Sequence, residues 1–194
     1  MKTGIVWEGG SLRTIYSSGV SDGLLEAGIS FDYAVGVSAG IAYGVSFLSG
    51  QFGRNLTILE RFANDKRYMG RRNFLKKDNR SYFGRDFAYR EIPDRLVPFD
   101  KAAYKAWPGT AEAVVTDVHT GRPVYFPVDV DEPGNPLLQA TCAMPLVFPM
   151  MHYRGVDCLD GGAADPIPYQ RALDQGCDRL VVILTRERSY VRQP

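Results

Sequence analysis

The short run Ala34-Val35-Gly36-Val37 delivers a serine between two glycines and continues without a break into Ala39-Gly40-Ile41-Ala42-Tyr43-Gly44-Val45-Ser46-Phe47-Leu48. No other stretch restricts the fold as strongly. A Gly-x-Ser-x-Gly pattern between a strand-like run and a helix-like run predicts a sharp strand-to-helix turn with the Ser38 hydroxyl at its apex. Side chains at Gly36 or Gly40 would collide across such a turn, and the serine itself must accept a strained backbone. The helix that follows supplies free N–H groups and the positive end of its dipole behind the hydroxyl.

The residues before this turn repeat the same alternation. Ile5-Val6-Trp7 reads as a buried strand ending at Glu8-Gly9-Gly10-Ser11. Leu12, Ile15, Tyr16, Gly19, Val20, Gly23, Leu24 and Ala27 then recur at helical spacing, which predicts one buried face on which Gly19 and Gly23 approach the sheet. Gly28 is placed to stop that helix, and Phe31–Val37 forms the second strand. Strand, helix, strand, helix in succession predicts an α/β fold with a largely parallel sheet. Functional loops of such sheets gather at the carboxyl ends of the strands, so Gly9-Gly10-Ser11 and Ser38 are expected on one edge. A glycine loop opening a helix can offer adjacent N–H groups to a developing negative charge. It can also cradle a phosphate, but both the dinucleotide spacing and the Gly-Lys-Ser/Thr of nucleotide loops are missing. Arg13 serves either as an anchor through a salt bridge or as a brace for this loop.

The 194 residues suit one domain, 1–194, and the 45% hydrophobic and 23% charged content is that of an ordinary globular chain. A net charge of +1 gives no global field for nucleic acid. Cys142, Cys158 and Cys177 are odd in number and lack CxxC spacing, which predicts buried, reduced thiols in a cytoplasmic protein and no zinc site. No ligand cluster calls for a metal or a cofactor, and no apolar run reaches membrane-spanning length. One segment departs from this balance. Between Arg61 and Arg80 eight basic residues face two acidic ones, with Tyr68, Phe74, Tyr82, Phe83, Phe87 and Tyr89 interleaved or close behind. This insertion, around 61–90, is either a solvated excursion or a face for peripheral contact with an anionic membrane. No nucleic-acid-binding signature accompanies it.

Short proline-punctuated helical turns are expected over 92–103, and a hairpin over Ala111–Thr116 and Pro123–Phe126 with His119 in its turn. Leu137–Ala143 reads as a short helix and Phe148–Gly155 as a turn with His152 near its tip. Val156–Leu159 leads into Asp160-Gly161-Gly162, and Pro166–Gln175 is a proline-opened helix. Arg179–Thr185 is the clearest buried strand, left without a covering element, so further C-terminal elements are expected. A serine nucleophile needs a proton acceptor. The only histidines, His119 and His152, fall in turns outside any distinctive motif, whereas Asp160 closes an apolar run and is followed by two glycines. A histidine-free Ser38–Asp160 pair is therefore the leading arrangement, with burial expected to raise the ordinary aspartate pKa of ~3.9.

Glu8-Gly9-Gly10-Ser11-Leu12-Arg13, Gly36-Val37-Ser38-Ala39-Gly40 and Asp160-Gly161-Gly162, in this order and spacing, resemble the bacterial patatin-like phospholipases. The resemblance extends through Val97-Pro98-Phe99-Asp100, Thr116–Gly121 and Ala143–Pro149, nearly the whole chain. It implies a three-layer α/β/α fold and lipid acyl hydrolysis of phospholipase A or lysophospholipase type, with Ser38 as nucleophile and Asp160 as base. It places the oxyanion loop on Gly9, Gly10, Ser11, Leu12, Arg13 and Thr14, where Ser11 and Thr14 replace two of the family's glycines. A rival of the same fold, binding lipid without turnover, follows if Ser11 distorts that loop, and a nucleotide-binding protein using Gly9–Ser11 is the remaining alternative.

Overall fold

The computed structural model describes residues 1–191. One mixed sheet contains β1 (Thr3–Trp7), β2 (Tyr33–Val37), β3 (Thr110–Asp117), β4 (Pro123–Pro127), β5 (Met151–Tyr153), β6 (Val156–Asp160) and β7 (Arg179–Ile183). The neighbours β7-β1-β2-β3 run parallel, and β4, β5 and β6 pair antiparallel. Successive strand residues point to opposite faces. Ile5, Trp7 and Ala34 therefore enter one core, and Val6, Val35 and Val37 another. The first face is covered by α1 (Ile15–Glu26), α2 (Ala39–Leu48), α4 (Lys101–Ala106) and α5 (Pro136–Thr141), with α3 (Arg54–Phe62) outside them. The second face is covered by α6 (Tyr169–Asp174) and by Ile167 just before it. This is a three-layer α/β/α arrangement around a mostly parallel sheet. Arg171 of α6 donates two hydrogen bonds, of 2.7 and 2.8 Å, to the buried carboxylate of Glu112 on β3, which also accepts the Tyr33 hydroxyl.

The register of β3 determines where the functional loops meet. Glu112, Ala113 and Val114 pair with β2 on one side and with β4 on the other. Val115 and Thr116 pair with β4 and with β6. Hence β2 and β6 lie end to end on the same side of β3, running toward each other. Val37 pairs with Val114 and Asp160 with Val115, so the two strand ends face each other one residue apart along β3.

Several local expectations are corrected. The buried face of α1 is Ser17, Ser18 and Ser21, while Leu12, Tyr16 and Gly19 are exposed and nothing would touch a side chain added at Gly19 or Gly23. Serine is small enough for close helix packing, and two of the three hydroxyls have partners: Trp7 Nε1 donates to Ser21 Oγ and Asn55 Nδ2 to Ser18 Oγ, whereas Ser17 Oγ is buried without one among the described residues. The strand β7 is a sheet edge with Val181 and Val182 exposed; Leu180 packs against the core beneath α6, and Ile183 alone of the strand is fully buried. His152 stands within β5, and the turn tip is Arg154-Gly155. The region 87–96 is one continuous π-helical segment with Pro93 inside it, not separate turns. Residues 192–194, the end of the expected tail, lie outside the described residues. No helix among the described residues is long and apolar enough to cross a membrane.

Candidate active site

Ser38 sits between β2 and α2 with φ +53° and ψ −134°. An L side chain rarely occupies this backbone region, and holding it there costs about 1–3 kcal/mol unless the surroundings enforce it. The enforcement is visible on both sides. A Cβ on Gly36 would lie 3.0 Å from the Ile41 nitrogen, and one on Gly40 would lie 2.6 Å from the Glu8 carbonyl oxygen. The first turn of α2 is thereby seated directly on the loop after β1. The Ser38 N–H donates to Thr141 Oγ1 at 2.9 Å, and Thr141 in turn donates to the Val114 carbonyl. One buried threonine of α5 thus pins the turn to β3.

Across the gap between strand ends, Ser38 Oγ donates to Asp160 Oδ2 at 2.7 Å, and Asp160 Oδ1 accepts the Gly162 N–H at 2.8 Å. The Asp160 backbone is held as well, donating to the Ala143 carbonyl and accepting Thr116 Oγ1. Burial pushes the carboxyl pKa above its ordinary value, while the hydrogen bonds from Ser38 and Gly162 partly restrain the rise. The result is a stronger proton acceptor than a solvated aspartate. Gly161 makes this turn possible, since a Cβ there would stand 2.2 Å from the Val114 carbonyl oxygen.

The loop after β1 closes the third side. Gly9 packs against Ser38 so tightly that a Cβ would lie 3.2 Å from Ser38 Cβ. The Glu8 carboxylate accepts the N–H and the hydroxyl of Thr185, which ties this loop to the chain beyond β7. The Arg13 guanidinium lies over Gly10, exposed, with no carboxylate partner among the described residues. Ser38, Asp160 and the Gly9–Arg13 loop all open on one cavity of about 1300 Å³.

A sequence model for patatin-like phospholipases matches residues 5–173, which include all three loops. The chain belongs to the patatin-like phospholipase family. It is also 27% identical over 185 residues to "Uncharacterized protein YjjU" of Escherichia coli (strain K12), covering 93% of this chain and 51% of that protein. It thus spans about half the length of the curated relative it matches.

Two departures from the patatin-like glycine pattern have distinct structural meanings. Ser11 has φ +52°, a left-handed conformation that costs a non-glycine residue about 1 kcal/mol. Thr14 has an ordinary helical φ of −66°, is fully buried, and donates its hydroxyl to the Ser11 carbonyl at 2.6 Å. The second replacement therefore fastens the peptide that the first one strains.

Other residues also line or support the site. Thr141 is one; its partners Ser38 and Val114 are remote in sequence, and no local pattern marks it. Cys142 lines the cavity beside Ser38, its thiol pushed up to about 12 by burial and by the Asp160 charge, so it stays protonated. Tyr43, Tyr68 and Tyr89 line the same cavity, with burial raising all three phenols above their ordinary value. Arg54 is a buried cation in the cavity wall, lowered to about 10 by burial and bonded to the Val97 and Pro98 carbonyls and to Ser46 Oγ. Both histidines instead pair with the Asp157 carboxylate at 2.9 Å, and neither lines the cavity.

Proposed function

We propose that this patatin-like chain is a lipid acyl hydrolase working through a Ser38–Asp160 dyad, of phospholipase A or lysophospholipase type. The observation that carries the reading is the 2.7 Å hydrogen bond from Ser38 Oγ to Asp160 Oδ2 in the lining of a cavity of about 1300 Å³. In the first step Ser38 Oγ attacks the ester carbonyl carbon as its proton passes to Asp160 Oδ2. The carbonyl oxygen becomes an oxyanion held by N–H groups of the Gly9-Gly10-Ser11 loop and of Ala39, the first residue of α2. Collapse of the tetrahedral intermediate expels the alcohol, which takes the proton from Asp160 and leaves Ser38 acylated. Water then repeats the sequence in the deacylation half, with Asp160 again accepting and returning the proton. No step requires a cofactor. The residues 1–194 act as a single domain in this reading.

Apolar walls contributed by Val45, Ile58, Ile92, Leu138 and Phe148 suit an acyl chain. The direct test is release of fatty acid from diacyl and monoacyl phospholipid and from a short soluble ester, by the parent and by Ser38→Ala. The reading requires turnover by the parent that is lost in the variant. The left-handed Ser11 favours the second reading, a lipid-binding protein without turnover. That reading requires lipid binding by both proteins and hydrolysis by neither.

A further inference from the structure

Residues 66–85 have little regular structure, yet they are built around two buried asparagines. Asn79 Nδ2 donates to the carbonyls of Asn73, Ser81 and Phe83, and its Oδ1 accepts the Arg85 N–H. Asn73 Nδ2 donates to the Lys66 and Tyr82 carbonyls. This scaffold is joined to the cavity rim: the Tyr82 N–H and the Ser81 hydroxyl both donate to the Val147 carbonyl, at 2.8 and 3.0 Å. The Phe74 ring lies 6.3 Å from the Tyr82 ring, linking the outer turn to the same point.

What this fastened platform displays is otherwise unfavourable. Leu75 is 85% exposed and Leu146 is 96% exposed. Leu146 also has φ +69°, a strained conformation for a leucine that faces water. Its neighbours Met144, Pro145 and Phe148 line the cavity that holds Ser38, so the bare side chain sits at the entrance. Around Leu75, Arg71, Arg72, Lys76, Lys77 and Arg80 are all exposed, none is paired with a carboxylate among the described residues, and Asp78 is the sole acid between them. A leucine left in water gains free energy on entering an apolar medium, and unpaired cations crowded together repel one another. Both are satisfied by a surface that is anionic at its face and apolar just beneath.

The geometry points to a docking face for an anionic lipid surface, in which Leu75 and Leu146 enter the acyl region and Arg71, Arg72, Lys76, Lys77 and Arg80 meet the head groups. This places the entrance of the cavity against the bilayer. The assignment rests on the exposed surface and does not depend on turnover.

The test is flotation with phosphatidylcholine vesicles, with and without phosphatidylglycerol, in a Ser38→Ala background so that no lipid is consumed. The protein floats with the anionic vesicles, is released by salt, and does not float with phosphatidylcholine alone. Lys76→Ala with Lys77→Ala weakens binding roughly 30-fold. Leu75→Ser weakens it roughly tenfold, and so does Leu146→Gly, which keeps the fold because glycine accepts the positive φ. With Ser38 restored, the lysine pair leaves hydrolysis of a short soluble ester unchanged. Equal partition to neutral and anionic vesicles overturns the assignment, as does parental binding that these substitutions leave intact or an absence of binding altogether. Loss of docking with ester hydrolysis intact removes the surface alone, whereas docking without hydrolysis removes the dyad alone.

Discussion

Two serines, Ser11 and Ser38, stand at almost the same backbone angle, φ +52° and +53°, in the lining of one cavity. Ser38 is surrounded: Gly36 and Gly40 leave room for the turn, Thr141 holds its N–H, and Asp160 holds its hydroxyl. Ser11 is exposed and held chiefly through its carbonyl, by Thr14. At Ser38 the strain presents the hydroxyl to Asp160, and several contacts maintain it. At Ser11 the hydroxyl has no partner among the described residues, so the strain is only the cost of carrying a side chain where glycine would be free. The same backbone strain thus stands under two different sets of restraints.

The largest effect that sharpens this contrast is at the base. Asp160→Asn lowers kcat/KM by about 10³-fold or more, because the amide cannot accept the serine proton. In the parent, activity falls on the acid side as Asp160 protonates. Because burial raises its pKa, the fall occurs at a higher pH than a solvated aspartate would give. The stability effect has the opposite sign. A carboxyl whose folded pKa is raised binds its proton more tightly when folded, so its contribution becomes more favourable as pH falls and less so as pH rises. Asp160→Asn is then more stable than the parent at neutral pH, measured as a higher denaturation midpoint, while being far less active.

Gly40→Ala strikes the support of the turn. The added methyl must displace the Glu8 carbonyl, which costs about 1–3 kcal/mol by overpacking and moves the Gly9 loop away from Ser38. Thermal unfolding and kcat both decline together. A third comparison uses the nucleophile position itself: Ser38→Gly is more stable than Ser38→Ala by about 1 kcal/mol, since only the glycine is relieved of the backbone strain. Equal stabilities would mean that the surroundings no longer enforce that geometry. The smallest effect is at the other serine. Ser11→Gly raises stability by about 1 kcal/mol and leaves hydrolysis at least as fast as in the parent. A loss of activity there would show that the Ser11 side chain is engaged after all, and the contrast would fail.

The elements that carry the site were legible where local pattern and packing agree. The apolar run before Ser38 and the small residues after it specify strand, turn and helix without reference to the rest of the chain. The glycines at 36, 40 and 161 mark places where backbone approaches backbone within a Cβ radius. The face of α1 was misread because hydropathy ranks serine as polar, whereas Ser18 and Ser21 are buried with partners supplied by Asn55 and Trp7. The edge position of β7 was illegible for a related reason: an apolar strand reads the same whether or not anything covers it. Thr141 and the asparagine scaffold of 66–85 depend on contacts between distant or irregular segments, for which sequence has no period. The resemblance to the family located the loops, but only the register of β3 explains why the ends of β2 and β6 meet.

The most direct measurement is intact mass after exposure to a small fluorophosphonate, for the parent, Ser38→Ala and Asp160→Ala in parallel. The dyad predicts one adduct on the parent, none on Ser38→Ala, and sharply slowed labelling of Asp160→Ala. A folded parent that takes up no adduct, or labelling that proceeds unchanged without Asp160, would contradict it.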